Sequence, residues 1–442
     1  MLRTKSAKLY ARAKTVIPGG TCSSGRNLDY PFFIDRGKGS RIWDVDGNEF
    51  IDYVCAWGPL TLGHAPDCVN DAIRGQLDKG LQHGGTGIEL EYELASLLID
   101  LVPSVEQVRF GTSGSEVVHI ALRLARAFTG KEKVVKFEGH FHGTISDIYQ
   151  SVYPTAPYGP DHAPYTRRSV DGQPRSDEDN VIVQPFNYLD VVEATLKERG
   201  HEIAAVIVEP VGAYSGVQPP AQGFLEGLRR ITSENDVLLI FDEVVTGFRM
   251  AIGGAQEYFG VTPDLTVMAK GFGCGVPIAA FGGRRDIMDK IADGSMPHYG
   301  TYNGNAMCLA GALAGLRELS KDNAAAIRSM HDQGSKLRHG FNAMFDKYDA
   351  PLFAHGVDPI FTVVGQEKKE LCTNYRDYEG RDYDCARRWR DAMFDAGSWS
   401  IYRGSFVLSA AHTDEDIDST LEACEAILAD GSWKDRELYV PD

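Results

Sequence analysis

Residues 237–277 read VLLIFDEVVTGFRMAIGGAQEYFGVTPDLTVMAKGFGCGVP. An apolar run, 237–241, ends on a carboxylate, Asp242. A second, 265–268, ends on Ala269 and then Lys270. Apolar runs this short, closed by turn residues, predict strands buried on both faces of a parallel sheet. In open α/β sheets the carboxyl ends of the strands face the ligand crevice. The pattern therefore predicts that Asp242 and Lys270 emerge into one pocket. Taken singly, a strand-terminal Asp is often a helix N-cap and a Lys there is often solvated.

Outward from this stretch the same rhythm recurs. Residues 204–208 form an apolar run that ends in Glu209-Pro210-Val211. Residues 133–137 run into Glu138-Gly139-His140-Phe141-His142-Gly143. Residues 108–110 lead into Gly111-Thr112-Ser113-Gly114-Ser115-Glu116, and a helix-periodic run follows over 117–128. A strand, a Gly/Ser turn and a helix make an anion site, because free backbone N–H groups and the positive helix end face one point. The hydroxyls of Ser113 and Ser115 add donors, and each charge-assisted hydrogen bond is worth about 1.5–3 kcal/mol. His140 and His142 alternate without an evident third ligand, so no metal site is read there. Residues 41–53 alternate around Asp46-Gly47, the signature of a β-hairpin. Helical spacing predicts helices over 66–80 and 89–103. Residues 151–180, rich in Pro, Tyr, Asp, Arg and Ser, predict a long loop that forms a pocket lid or faces a dimer partner.

The composition bounds the function. The chain has 442 residues, 43% hydrophobic and 24% charged, which is ordinary for a globular protein. A formal charge of −17 argues against a nucleic-acid partner and against an anionic membrane surface. The first 20 residues predict a basic amphipathic helix ending at Pro18, without the apolar core of a signal peptide. No run of 18 or more apolar residues is present, so no membrane span is expected. The eight cysteines are scattered without a CxxC pair and read as reduced thiols of a cytoplasmic protein.

Asp242 and Lys270 suit pyridoxal 5'-phosphate (PLP), because a lysine amine forms a Schiff base with it and a carboxylate holds its pyridine nitrogen protonated. The chain resembles the class III (ω-type) PLP-dependent aminotransferases, with glutamate-1-semialdehyde 2,1-aminomutase and its aminotransferase relatives as the nearest pattern. The resemblance rests on the DEVxxGFR run at 242–249, the PDL at 263–265 and the Gly-rich VPIAAFGGR that follows. It implies the α/β fold type I of aspartate aminotransferase: a large domain with a mainly parallel seven-stranded sheet plus a smaller α+β domain. The expected division is an N-terminal segment 1–55 belonging to the small domain, a large PLP-binding domain 56–315 and a C-terminal small domain 316–442.

The resemblance also assigns roles. Lys270 carries the cofactor and acts as the base, so its pKa must fall well below the free value of about 10.4. Asp242 opposes the pyridinium, an attraction of about 4 kcal/mol at 4 Å and an effective dielectric near 20. Ser113, Gly114 and Ser115 hold the phosphate. Phe141, where the nearer relatives have tyrosine, stacks on one ring face beside His142, and Val244 packs on the other. Glu209 is expected as a polar neighbour of the pocket. The Gly-Thr-x-x-Gly-Asn run at 300–305 implies that Thr301 reaches the phosphate of a neighbouring subunit, hence a homodimer with shared active sites. Arg26, Trp57 and Arg403 are expected to contact substrate.

In the aminomutase pattern a glutamate stands where Arg403 falls. An arginine is a bidentate carboxylate clamp rather than a gating acid. The expected reaction is therefore ping-pong transamination between a β- or ω-amino acid or amine and a keto acid, pyruvate or 2-oxoglutarate. The alternative is the aminomutase's intramolecular transfer. A non-enzymatic scaffold is disfavoured, because Lys270, Asp242 and the phosphate cup are all present.

Overall fold

The computed structural model describes residues 3–26, 32–154 and 159–438. Its centre is a seven-stranded sheet in the order Gln107–Gly111, Ala279–Gly283, Leu265–Met268, Leu238–Asp242, Ile203–Val208, Lys133–Phe137, Val181–Gln184. Only Ala279–Gly283 runs antiparallel to its neighbours. The two runs read first from the sequence are adjacent parallel strands, with Asp242 opposite Val267.

Every residue of Leu238–Asp242, Leu265–Met268 and Ile203–Val208 is buried, because helices cover both sheet faces. Alternate side chains divide between two cores, as the period of a strand requires. Val134, Ala205, Ile207, Ile240 and Val267 pack on helix Gly114–Thr129 through Val117, Leu122 and Leu124. Val135, Phe137, Val206, Leu239 and Phe241 pack on helices Leu189–Arg199 and Phe224–Glu234 through Leu196 and Leu228.

The beginning of the chain meets its end. Strands Ile34–Lys38, Arg41–Asp44 and Glu49–Asp52 form an antiparallel unit whose last strand pairs in parallel with Ser398–Trp399. The expected hairpin turn forms, with the Asp44 carboxylate accepting from the N–H groups of Asp46 and Asn48. A third sheet joins Leu352–Val357, Ile360–Gly365 and Ser405–Val407. The helix Ala306–Lys347, broken at 321–324, carries the chain from the large sheet to this one.

Some elements differ from expectation in extent. The first helix ends at Ala13 rather than near Pro18. The predicted helices 66–80 and 89–103 are Asp67–Leu77 and Glu89–Leu101. The helix expected from 117 begins at Gly114, because Ser113 caps it. Among the described residues no helix is long and apolar enough to cross a membrane.

Candidate active site

A cavity of about 380 Å³ opens at the carboxyl edge of the seven-stranded sheet, within the size range of cofactor pockets. Asp242 ends its strand there, and Lys270 opens the 3-10 turn Lys270–Gly273 just past the next strand. Lys270 has φ +45°, a left-handed conformation that only a well-determined surrounding holds in a non-glycine residue. The Asp242 carboxylate accepts from the Val244 N–H at 3.0 Å and lies 2.7 Å from His142 Nδ1. Burial lowers the pKa of His142 against the pull of Asp242, so the ring is neutral and its Nδ1–H donates to the carboxylate. His142 Nε2 is buried and has no hydrogen-bond partner among the described residues.

Glu209 lies one residue past the strand Ile203–Val208. Its oxygens accept the N–H groups of Phe141 at 2.7 Å and Ala213 at 3.1 Å. Burial, then the neighbouring Asp242, pushes its carboxyl up to about 8, so it is protonated at neutral pH. Lys270 is shifted in the opposite sense. Burial lowers its pKa, the carboxyl groups of Glu209 and Asp242 oppose the change, and Arg249 reinforces it.

The anion cup lines the same cavity. Ser113 is the N-cap of helix Gly114–Thr129 and accepts the Glu116 N–H. The amides of Gly114 and Ser115, at the first two helical positions, have no intrahelical acceptor and sit at the positive end of the helix dipole. Ser115 Oγ accepts the Thr144 N–H at 3.2 Å. Gly143, with φ +92°, lies so close that a Cβ there would stand 2.5 Å from Ser115 Oγ. Phe141 and Val244 supply an aromatic and an aliphatic wall. Anion cup, flat walls, a ring-facing carboxylate and an amine form a donor set that fits PLP. Thus Ser113, Gly114, Ser115, Phe141, His142, Glu209, Asp242, Val244 and Lys270 all line one cavity.

The remaining expected residues lie outside it. Arg403 stacks its guanidinium 3.9 Å from the ring centre of Tyr153 and 4.6 Å from that of Tyr214. It faces a second cavity, with Tyr214 standing between it and the first. Trp57 approaches the same cluster, 5.7 Å from Tyr402. Arg26 is exposed, in a short turn whose Gly25 rests against the Trp57 ring. Thr301 is exposed, and its carbonyl accepts from Gln82 Nε2.

Sequence reasoning missed Tyr214, which stacks at 4.5 Å on Phe141 and lines the cavity. Its one signal is an aromatic five residues past Glu209 in a loop leaving a strand's carboxyl end. Arg249 was read only as part of the GFR run. It is fully buried and donates to the carbonyls of Gly58 and Leu408.

Residues 23–358 match the family described as Aminotransferase class-III. Over 433 residues the chain is 40% identical to the glutamate-1-semialdehyde 2,1-aminomutase of Persephonella marina, covering 96% of this chain and 98% of that protein. Among solved structures, an omega-transaminase from Sphaerobacter thermophilus is similar at 32% identity and a TM-score of 0.89, covering 97% of this chain and 98% of that one. A β-phenylalanine aminotransferase from Variovorax paradoxus is similar at 28% identity and a TM-score of 0.85, covering 97% and 94%.

Proposed function

The chain belongs to the class-III aminotransferases and is a PLP-dependent enzyme, and we propose that it moves an amino group within glutamate 1-semialdehyde, as an aminomutase. The observation that carries this reading is the near full-length similarity to the Persephonella marina aminomutase. It takes precedence over the transamination expected from Arg403 alone, because Arg403 faces the neighbouring cavity and not the one that holds Lys270.

When bound, PLP supplies an electron sink for the carbanion left as a proton leaves the amino-bearing carbon. The protein's own residues do the rest. The amides of Gly114 and Ser115 would take the phosphate, and Asp242, oriented by His142, would hold the ring nitrogen protonated. Phe141 and Val244 would close the two ring faces. The Lys270 amine, its pKa lowered by burial, would carry the cofactor and move the substrate proton. Glu209, protonated, adds no negative charge to the pocket and fixes Phe141 through its amide.

A second reading is ping-pong transamination between a β- or ω-amino acid or amine and pyruvate or 2-oxoglutarate. It is favoured by an arginine at 403 where the aminomutase pattern has a glutamate. That guanidinium bonds the Tyr402 hydroxyl and the Tyr214 carbonyl, lies against the rings of Tyr153 and Tyr214, and has no carboxylate partner among the described residues. Under either reading the enzyme works as a cytoplasmic homodimer.

The test is incubation of the holoenzyme with glutamate 1-semialdehyde in the absence of any keto acid. Accumulation of 5-aminolevulinate supports the aminomutase. An inert semialdehyde, with an amino donor consumed only when a keto acid is added, establishes the second reading instead.

A further inference from the structure

Arg249 is fully buried, seven residues past Asp242. Its guanidinium is held by two backbone carbonyls, those of Gly58 and Leu408, and its Nε has no hydrogen-bond partner among the described residues. No carboxylate of the described residues pairs with it. The polar side chains that bear on it are the thiols of Cys55 and Cys274, and burial raises both, so they stay uncharged. The field of a buried cation without a counter-ion falls on its neighbours at low screening.

The neighbour is Lys270. A Cβ built on Gly58 would stand 3.7 Å from Lys270 Cδ and 3.9 Å from Arg249 Nη2, so the lysine stem and the guanidinium share one wall. The groups that face Lys270 are Glu209, Asp242 and Arg249. Glu209 is protonated near neutral pH, and Asp242 is engaged by His142 and the Val244 amide. Arg249 is the one cation among the three.

We propose that Arg249 is a positioning residue for Lys270: a buried cation without a carboxylate partner among the described residues that disfavours a second positive charge on the adjacent amine, while its two carbonyl bonds fix the wall on which the lysine stem lies. Burial of Lys270 acts in the same direction. The proposal rests on the reading of Lys270 as the cofactor lysine. A glycine at 58 is favoured by its φ of +103°.

The experiment compares Arg249→Gln and Arg249→Lys with the parent in two titrations. One follows the absorption spectrum of the holoenzyme against pH. The other follows acetylation of Lys270 in the full chain freed of cofactor, read by peptide mass spectrometry. Arg249→Gln is expected to move the Lys270 midpoint up by about one pH unit, and Arg249→Lys to stay near the parent. Midpoints unchanged in Arg249→Gln, or raised equally in both variants, overturn the proposal, since the charge is then not the agent. If neither variant folds, the parent decides. A Lys270 midpoint at or above the ordinary lysine value of about 10.4 overturns the proposal. Should borohydride fix the cofactor on a different lysine, the cofactor reading fails, while the acetylation midpoint still judges Arg249.

Discussion

Glu209 holds a proton in the middle of the site. Both of its oxygens are committed to backbone N–H groups, and burial pushes its carboxyl from 4.5 up to about 8. Between these values the folded chain keeps a proton here that the unfolded chain has released. Stability from this group is therefore complete below about pH 4.5 and is lost as pH rises toward 8, on the order of 5 kcal/mol at most. Glu209→Gln is neutral at every pH. In urea titrations at pH 5 and pH 9 the parent is expected to lose about 2–4 kcal/mol more than the variant; parallel losses would contradict the buried proton. At this scale the sequence was most legible where chemistry sits at the end of a secondary-structure element. Asp242, Lys270 and the Ser113–Ser115 cup announce themselves by strand-end and helix-cap patterns. Tyr214, Tyr153 and Arg249 do not, because their partners, Phe141, Arg403, Gly58 and Leu408, lie far away in sequence and meet only through the fold.

The cup is a joint between two elements, the N-terminus of helix Gly114–Thr129 and the loop that follows strand Lys133–Phe137. Gly143 makes the joint possible, since its φ of +92° and its contact with Ser115 exclude a side chain. Gly143→Ala is expected to destabilise the fold by about 1–3 kcal/mol and to weaken PLP binding at least tenfold. Thermal melts and PLP titration read the two effects, and an unchanged PLP affinity would separate the joint from the cup. Elements were legible where periodicity is strong. The central strands are apolar throughout because they are buried on both faces, and alternation marked the Asp46-Gly47 hairpin. The break at 321–324 in helix Ala306–Lys347 left no sign, because Lys321, Asp322, Asn323 and Ala324 include neither proline nor glycine. The two-residue strand Ser398–Trp399 exists only through its pairing with Ile51 and Asp52.

Across the whole molecule, Thr301 sits on a loop whose Tyr299 is 86% exposed and Tyr302 65% exposed. Large aromatics displayed on a loop mark an interaction surface. With Thr301 outside its own cavity, we propose that this loop completes the phosphate site of a second copy. Sedimentation is expected to give twice the 48.5 kDa of one chain, and Tyr299→Glu to yield monomers with weakened PLP affinity; a monomeric parent would rule this out. A dimer is legible only through family resemblance, since a sequence records no interface directly. The account stands or falls on the lysine that carries the cofactor, and borohydride reduction of the holoenzyme followed by peptide mapping tests it most directly. The label is expected on Lys270 alone and absent from a Lys270→Ala chain. A label on another lysine, such as the fully buried Lys136, would contradict it.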